Sequence, residues 1–344
     1  MATSETNFIA HINFVSSQVN RYFSIIIFLF GIVGNILNVL VLCQRTFRTN
    51  PCAYLFMVSS LANIVAILSG LTSRMLSGWA ADLTNTDQFL CKLRAFVLNV
   101  ARPIAFWLIL LAAIDRWLLS SPYPRLRLMS NLKNAQRGIA LVSLLSLILF
   151  SHIIYCYEPN LRDAPLRCYG ITITCRFVTD ICFTFVTILI PLLLMLVFGL
   201  LTIRNVRHSR HRTNPRAIAT IHVDANQKQR NQGAQRNTDY RLLLMLLVQI
   251  LLLFIFGVPL GIQKLYATIT VNQSLSRSQI ALDNFVYGFV LLLNFLANGM
   301  PFYIYTLVGG SVFRQALGKM FFVRRSAMLR PTNTQTRTQT NTTL

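Results

Sequence analysis

The chain has 344 residues, of which 54% are hydrophobic and only 12% charged, with a mean hydropathy of +0.54. A soluble domain carries about twice that share of charge, so the composition excludes an ordinary water-soluble globule and points to a polytopic membrane protein. The net charge of +22 also raises nucleic-acid binding, but the basic residues lie between apolar stretches and not on one polar domain, which favours membrane orientation and excludes a nucleic-acid partner.

Met1 to Asn20 is polar, without a basic n-region or apolar h-region. No cleavable signal peptide is expected, and the first span is expected to act as its own insertion signal. Seven apolar segments follow at about 22–43, 53–76, 92–118, 138–157, 177–203, 241–268 and 282–307. Each reaches the ~20 residues that a spanning helix needs. The expected fold class is all-α: a seven-transmembrane helix bundle over 22–307, with 1–21 as an extracellular N-terminus. With the C-terminus cytosolic, 22 of the 32 basic residues fall on the inner side, whereas Asp115, Asp224 and Asp239 are the only inner acids. That bias is the one expected of cytosolic loops.

The third segment, Cys91 to Trp117, has the most informative ends. From Cys91 to Arg116 a helix covers roughly 37 Å at about 1.5 Å per residue, enough to cross a hydrocarbon core of about 30 Å. One end carries a cysteine and the other Asp115-Arg116. An arginine at the membrane edge loses hydration worth several kcal/mol unless it is paired, and Asp115 is its neighbour. Arg102 lies mid-span, and an intramembrane arginine is by default a functional candidate. It can take a ligand carboxylate bidentately or pair with Asp180, near the outer end of the fifth span.

Further along, 204–240 is rich in Arg, Gln, Asn and His and too polar to pack a core. It is expected to be a mobile loop whose ends extend the flanking helices. Gly309-Gly310-Ser311 breaks the seventh helix, and 308–323 places Val312, Phe313, Ala316, Leu317, Met320 and Phe321 on one face. That predicts an amphipathic eighth helix on the inner membrane surface. The tail, 324–344, is Thr-, Asn- and Gln-rich and expected to be disordered.

Four of the seven cysteines, Cys91, Cys156, Cys168 and Cys175, fall at or beyond the outer ends of spans, where three pairings are open. Cys168 sits mid-loop, free to reach the top of the third helix. Cys91–Cys168 is therefore the expected bond, with Cys156–Cys175 second and unpaired packing cysteines as the plain alternative. Asn272-Gln273-Ser274 is the externally placed glycosylation sequon.

Taken in order, these features resemble the rhodopsin-like G-protein-coupled receptors over about 22–322. Gly34-Asn35 falls where that family has its first-helix Gly-Asn. The Cys91-to-Arg116 gap equals the family's spacing from the disulfide cysteine to the arginine of Asp-Arg-Tyr. Pro191 and Pro259 match the fifth- and sixth-helix prolines, and Phe313-Arg314 the start of the eighth helix. The resemblance implies a receptor in the plasma membrane, with an extracellular N-terminus. Its inner switch comprises Asp115, Arg116, Trp117, Asp239 and Tyr305, with Arg116 held by Asp115 and Asp239 at rest and freed when the sixth helix swings outward.

Departures from the family are many. Trp117 replaces the tyrosine after the arginine. Asn63 and Ala105 stand where an aspartate and a serine help bind sodium, and an amide and a methyl are poor substitutes. No metal site is expected. Asn35, Asn63, Asn294 and Asn298 are expected to form a buried amide and water network instead. Gly257 replaces the sixth-helix switch tryptophan, leaving Phe254 or Phe256 to relay activation. Met300-Pro301-Phe302-Tyr303-Ile304-Tyr305 stands for Asn-Pro-x-x-Tyr, aligned here on Tyr305.

No lysine in 282–307 can carry retinal as a Schiff base, and Leu98 stands where amine receptors have aspartate. No cofactor is expected. The expected cavity lining is Asn99, Arg102, Phe106, Asp180, Lys264, Tyr266, Asp283 and Tyr287. The ligand is read as an extracellular peptide or small ligand, and the resemblance to invertebrate receptors for FMRFamide-like peptides implies a neuropeptide. Inner partners are a heterotrimeric G protein, anionic membrane lipid and, if the tail threonines are phosphorylated, arrestin. A transporter or channel is the alternative, but no internal repeat or midplane acid supports it. An enzyme would need a cluster of His, Asp or Glu inside the spans, where His152 is the only histidine.

Overall fold

The computed structural model describes residues 2–79, 81–161, 166–212, 223–270, 273, 275–308, 314, 317 and 318, with the backbone alone for 2–4, 45–46, 209–212, 223–242 and 308. Among the described residues, seven helices are long and apolar enough to cross a membrane: α1 (Glu5–Leu42), α2 (Pro51–Ser77), α3 (Gln88–Ser120), α4 (Leu132–Cys156), α5 (Ile173–His208), α6 (Leu243–Ile269) and α7 (Arg277–Gly299). Their starts carry capping chemistry. Asn50 accepts from the Cys52 and Ala53 N–H groups with Pro51 at the first helical position. Asp87, Asn131, Thr172 and Ser276 cap α3, α4, α5 and α7 in the same manner.

α3 is the axis of the bundle. Its apolar window is 67% buried, against 22% for α4, and it packs on α2, α4, α5 and α6. On α4, Leu141, Leu144, Leu145 and Ile148 form an exposed stripe at helical spacing, a surface suited to lipid. Helix extends well beyond the apolar segments. The first helix begins at Ala2, and a π-helical turn at Val19–Phe23 joins its polar part to the span. That polar part lies along α7, where the Ser278 hydroxyl donates to Glu5 Oε1 at 2.7 Å. The helix containing α6 begins at Val223 and the one containing α5 runs to Arg212. The 213–222 stretch, most of the expected eighth helix and the tail from 319 lie outside the described residues.

Two strands, β1 (Tyr157–Glu158) and β2 (Tyr169–Gly170), pair antiparallel between α4 and α5, with Tyr157 opposite Gly170. Two disulfides hold this loop: Cys91–Cys168 ties it to the start of α3, and Cys156–Cys175 ties α4 to the start of α5. This end of the bundle is termed the disulfide face below, and the end bearing Arg116 the arginine face. Within α5, Cys182–Leu189 is π-helical. Pro191 has no N–H to give the carbonyl five residues back, and that carbonyl, on Val186, accepts from Trp107 Nε1 at 3.0 Å. The proline is thereby converted into a bond between α5 and α3.

α1 and α7 approach to backbone contact. A Cβ at Gly299 would sit 2.8 Å from Gly31 Cα, whereas one at Gly257 would find its nearest neighbour at 3.6 Å. Gly299→Ala is therefore expected to destabilise the purified protein by about 1–3 kcal/mol, and Gly257→Ala to be near neutral. Thermal unfolding of the two variants in detergent or nanodiscs measures the difference; equal melting temperatures would show that the helices part without cost.

Candidate functional site

The disulfide face holds a buried ion pair. Lys264 Nζ on α6 lies 2.5 Å from Asp180 Oδ1 on α5, and both side chains are almost fully buried. Two hydroxyls complete the carboxylate's coordination. Tyr169 donates to it at 2.7 and 2.8 Å, and Thr268 donates to Oδ2 at 2.9 Å. Lys264 also lies 5.0 Å from the Phe183 ring and 5.8 Å from that of Tyr287, within cation–π reach. Burial first, then the Asp180 carboxylate, push the Tyr169 phenol well above its ordinary range, so it stays a donor. Tyr169 directly follows Cys168 in sequence, and the Cys91–Cys168 bond delivers it to the cluster.

Arg102 does not pair with Asp180. Its guanidinium instead lies 4.2 Å from the centre of the Phe295 ring and 5.6 Å from that of Phe183. Its Nε and Nη2 are buried without a hydrogen-bond partner. Lys264 reaches Asp180 from α6 and takes the carboxylate, and it shares the Phe183 ring with Arg102. A buried guanidinium with unmet donors has the geometry to take a planar oxyanion. Of the other expected lining residues, Tyr287 joins the Lys264 cluster, and Tyr266 meets Asp283 only weakly, at 3.5 Å. Asn99 bonds back to the Ala95 carbonyl on its own helix, at 2.8 Å. Phe106 is part of the main core.

On the arginine face, Arg116 Nη2 donates to Asp115 Oδ2 at 2.7 Å and to Asn50 Oδ1 at 3.1 Å. Asp115 Oδ1 accepts from Ser130 at 2.6 Å. The pair thus couples α3 to the cap of α2 on one side and to the segment before α4 on the other. Asn50 and Ser130 lie outside the expected switch residues; the Asn-Pro start of α2 is the sequence signal by which the former can be found. The Asp239 side chain lies outside the described residues, as do Asn272 and Ser274 of the sequon. Trp117 packs on Phe198 of α5, with ring centres 5.4 Å apart. Tyr305, on the helical segment Pro301–Val308 that follows α7, donates to Gln249 Oε1 of α6 at 2.5 Å.

The four central asparagines are all buried, but they do not form a direct amide network. Asn35 donates to the Asn298 backbone carbonyl at 3.1 Å and to Gly31 at 2.8 Å. Asn63 Oδ1, Asn298 Nδ2 and both polar atoms of Asn294 have no partner. Further bonds between spans run from Asn38 to Ser60 at 2.6 Å and from Ser59 to the Ala105 carbonyl at 3.1 Å. Of the relay candidates on α6, Phe254 is 44% exposed on the outer surface, which removes it. Phe256 packs against the core.

A profile of the family described as 7 transmembrane receptor (rhodopsin family) matches residues 34–305, from Gly34 in α1 to Tyr305. A comparison with curated proteins found no matching relative.

Removing one partner of a buried ion pair strands the other charge. Asp180→Asn is expected to cost about 3–5 kcal/mol, and the double variant Asp180→Asn/Lys264→Gln to recover most of the loss. Thermal unfolding of the single and double variants measures the coupling; strictly additive losses would mean that the pair does not act as one.

Proposed function

The chain belongs to the rhodopsin family of seven-transmembrane receptors, and on that premise we propose that it binds an extracellular peptide at the disulfide face and activates a heterotrimeric G protein through outward movement of α6. One observation carries this reading: α6 is gripped by polar side chains near both of its ends. Lys264 and Thr268 hold it to Asp180 and, through Tyr169, to the disulfide loop. Gln249 holds it to Tyr305. Between the grips lies Pro259, which removes a helical hydrogen bond and weakens the helix where it must bend.

Such an element is two-state, and a ligand shifts it only through different contacts in the two states. A ligand acid that takes Lys264 from Asp180, or that fills the unmet donors of Arg102, supplies such a difference. A peptide suits the site better than an amine, because the unmet groups in the cavity are cationic. At the arginine face, release of Tyr305 from Gln249 lets α6 swing, and Arg116 leaves Asp115 and Asn50 for the G protein. Asp239 is a further partner for Arg116 at rest. The excess of basic residues on the arginine-face segments supports placing that face in the cytosol, next to anionic lipid, with the threonine tail as an arrestin site once phosphorylated.

Gln249→Leu is expected to raise agonist-independent nucleotide exchange on Gα several-fold, and Asp239→Asn to raise it in the same direction. Purified receptor reconstituted with Gα and labelled GTP measures both, and a peptide library read by calcium and cAMP identifies the agonist. If Gln249→Leu leaves basal exchange at the wild-type rate, the grip on α6 is not the switch. Sidedness has its own test. A glycan on Asn272 should shorten the apparent size on enzymatic deglycosylation, with the shift lost in Asn272→Gln; antibody access to a tag at the N-terminus of intact cells should agree, and access to a C-terminal tag instead would reverse the orientation.

A further inference from the structure

Apart from the Lys264 cluster, the disulfide face contains a charged cavity of about 270 Å³. Arg74 from α2, Arg94 from α3 and Arg167 from the disulfide loop line it, together with Asp82, Ser73, Ser77, Asn85 and Thr86. Three guanidinium groups face one carboxylate, and that carboxylate is largely engaged elsewhere. Asp82 accepts from the Thr84 N–H at 3.1 Å, from the Thr84 hydroxyl at 2.7 Å and from the Ser73 hydroxyl at 3.1 Å. It meets Arg94 only at 4.0 Å, while Arg94 donates to Ser73. Arg74 forms no ion pair among the described residues, and Arg74 Nη2 and Arg94 Nε are buried without partners.

Unmet guanidinium donors in a low-dielectric cavity attract an acceptor with negative charge, and the planar fork matches an oxyanion. The surrounding hydroxyls and amide can satisfy its remaining lone pairs. Arg102 lies eight residues beyond Arg94 on α3, about 12 Å along the axis, and also has unmet donors. The cations therefore run inward as a series from the rim.

We propose that Arg74 and Arg94, with Arg167 at the rim, form an anion subsite that holds an acidic group (carboxylate, sulfate or phosphate) of the receptor's extracellular ligand. This rests on the receptor reading above and specifies the chemistry of its ligand. The acidic group enters between α2 and α3, and the remainder of the ligand extends toward Arg102 and Lys264. Asp82 competes with the anion for Arg94, so its removal strengthens anion binding.

The test uses the full-length receptor in nanodiscs and inorganic sulfate as the probe. Sodium sulfate is expected to raise the unfolding temperature above that in sodium chloride of equal ionic strength. Arg74→Gln and Arg94→Gln should each weaken the apparent sulfate affinity about tenfold or more, Arg74→Lys less so, and Asp82→Asn should strengthen it. Arg277→Gln, an exposed cation at the start of α7, should keep the wild-type response. No sulfate-specific shift in the wild type, or equal shifts in wild type and both glutamine variants, overturns the subsite; a wild-type measurement decides this even if a variant does not fold. Sulfate alone should not raise nucleotide exchange on Gα. If it does, the site's ligand is a free anion and the assignment to part of a larger ligand fails. The unfolding measurement needs no G protein, so a failure of coupling leaves the subsite result standing.

Discussion

In a bundle whose outer surface faces hydrocarbon, an ammonium and a carboxylate 2.5 Å apart cannot separate without each losing several kcal/mol of compensation for lost hydration. Lys264 and Asp180 are therefore held together, and they hold more than themselves. Asp180 can accept from Tyr169 only if the loop lies over the bundle, and from Thr268 only if α6 presents that turn. Tyr169 in turn is set by the bond from Cys168 to the start of α3. One buried pair thus fixes the relative positions of α3, α5, α6 and the hairpin of β1 and β2.

The two grips on α6 differ in kind. At the disulfide face the contact is charged, shared among four side chains and strong. At the arginine face Gln249 and Tyr305 form a neutral bond, a class worth on the order of 1 kcal/mol net. A lever with one stiff end and one weak end moves at the weak end when its balance changes by a small amount. That asymmetry suits a switch in which ligand acts where contacts are strong and the effector engages where they are weak.

Most of the architecture was legible in the sequence because it follows from length and period. The seven spans and the informative ends of the third helix need only apolar runs and a few polar residues at their ends. Arg102 and Arg116 stood out for the same reason: charge within or beside hydrocarbon is conspicuous. The pairing at Asp180 was not legible. Arg102 and Lys264 lie at compatible depths, and the choice depends on helix rotation and loop position, which no local pattern encodes. Rotation likewise decided that Phe254 faces outward and Phe256 inward. The asparagines show a related limit, because an amide's burial can be read from its neighbours but its partner cannot. Arg74 and Arg94 carry no signal in the sequence because each sits near a span end, where a lone arginine is ordinary; their convergence across two helices is a tertiary fact.

The adjacency of Cys168 and Tyr169 has a consequence for the order of events during biosynthesis. A newly inserted bundle with reduced cysteines has nothing to hold Tyr169 over α5, so Asp180 keeps a side open to water and its attraction for Lys264 is screened. Oxidation seals that side. The compartment that forms disulfides therefore also completes the electrostatics of the disulfide face, and a chain that escapes oxidation arrives with its helices in place and that face still hydrated.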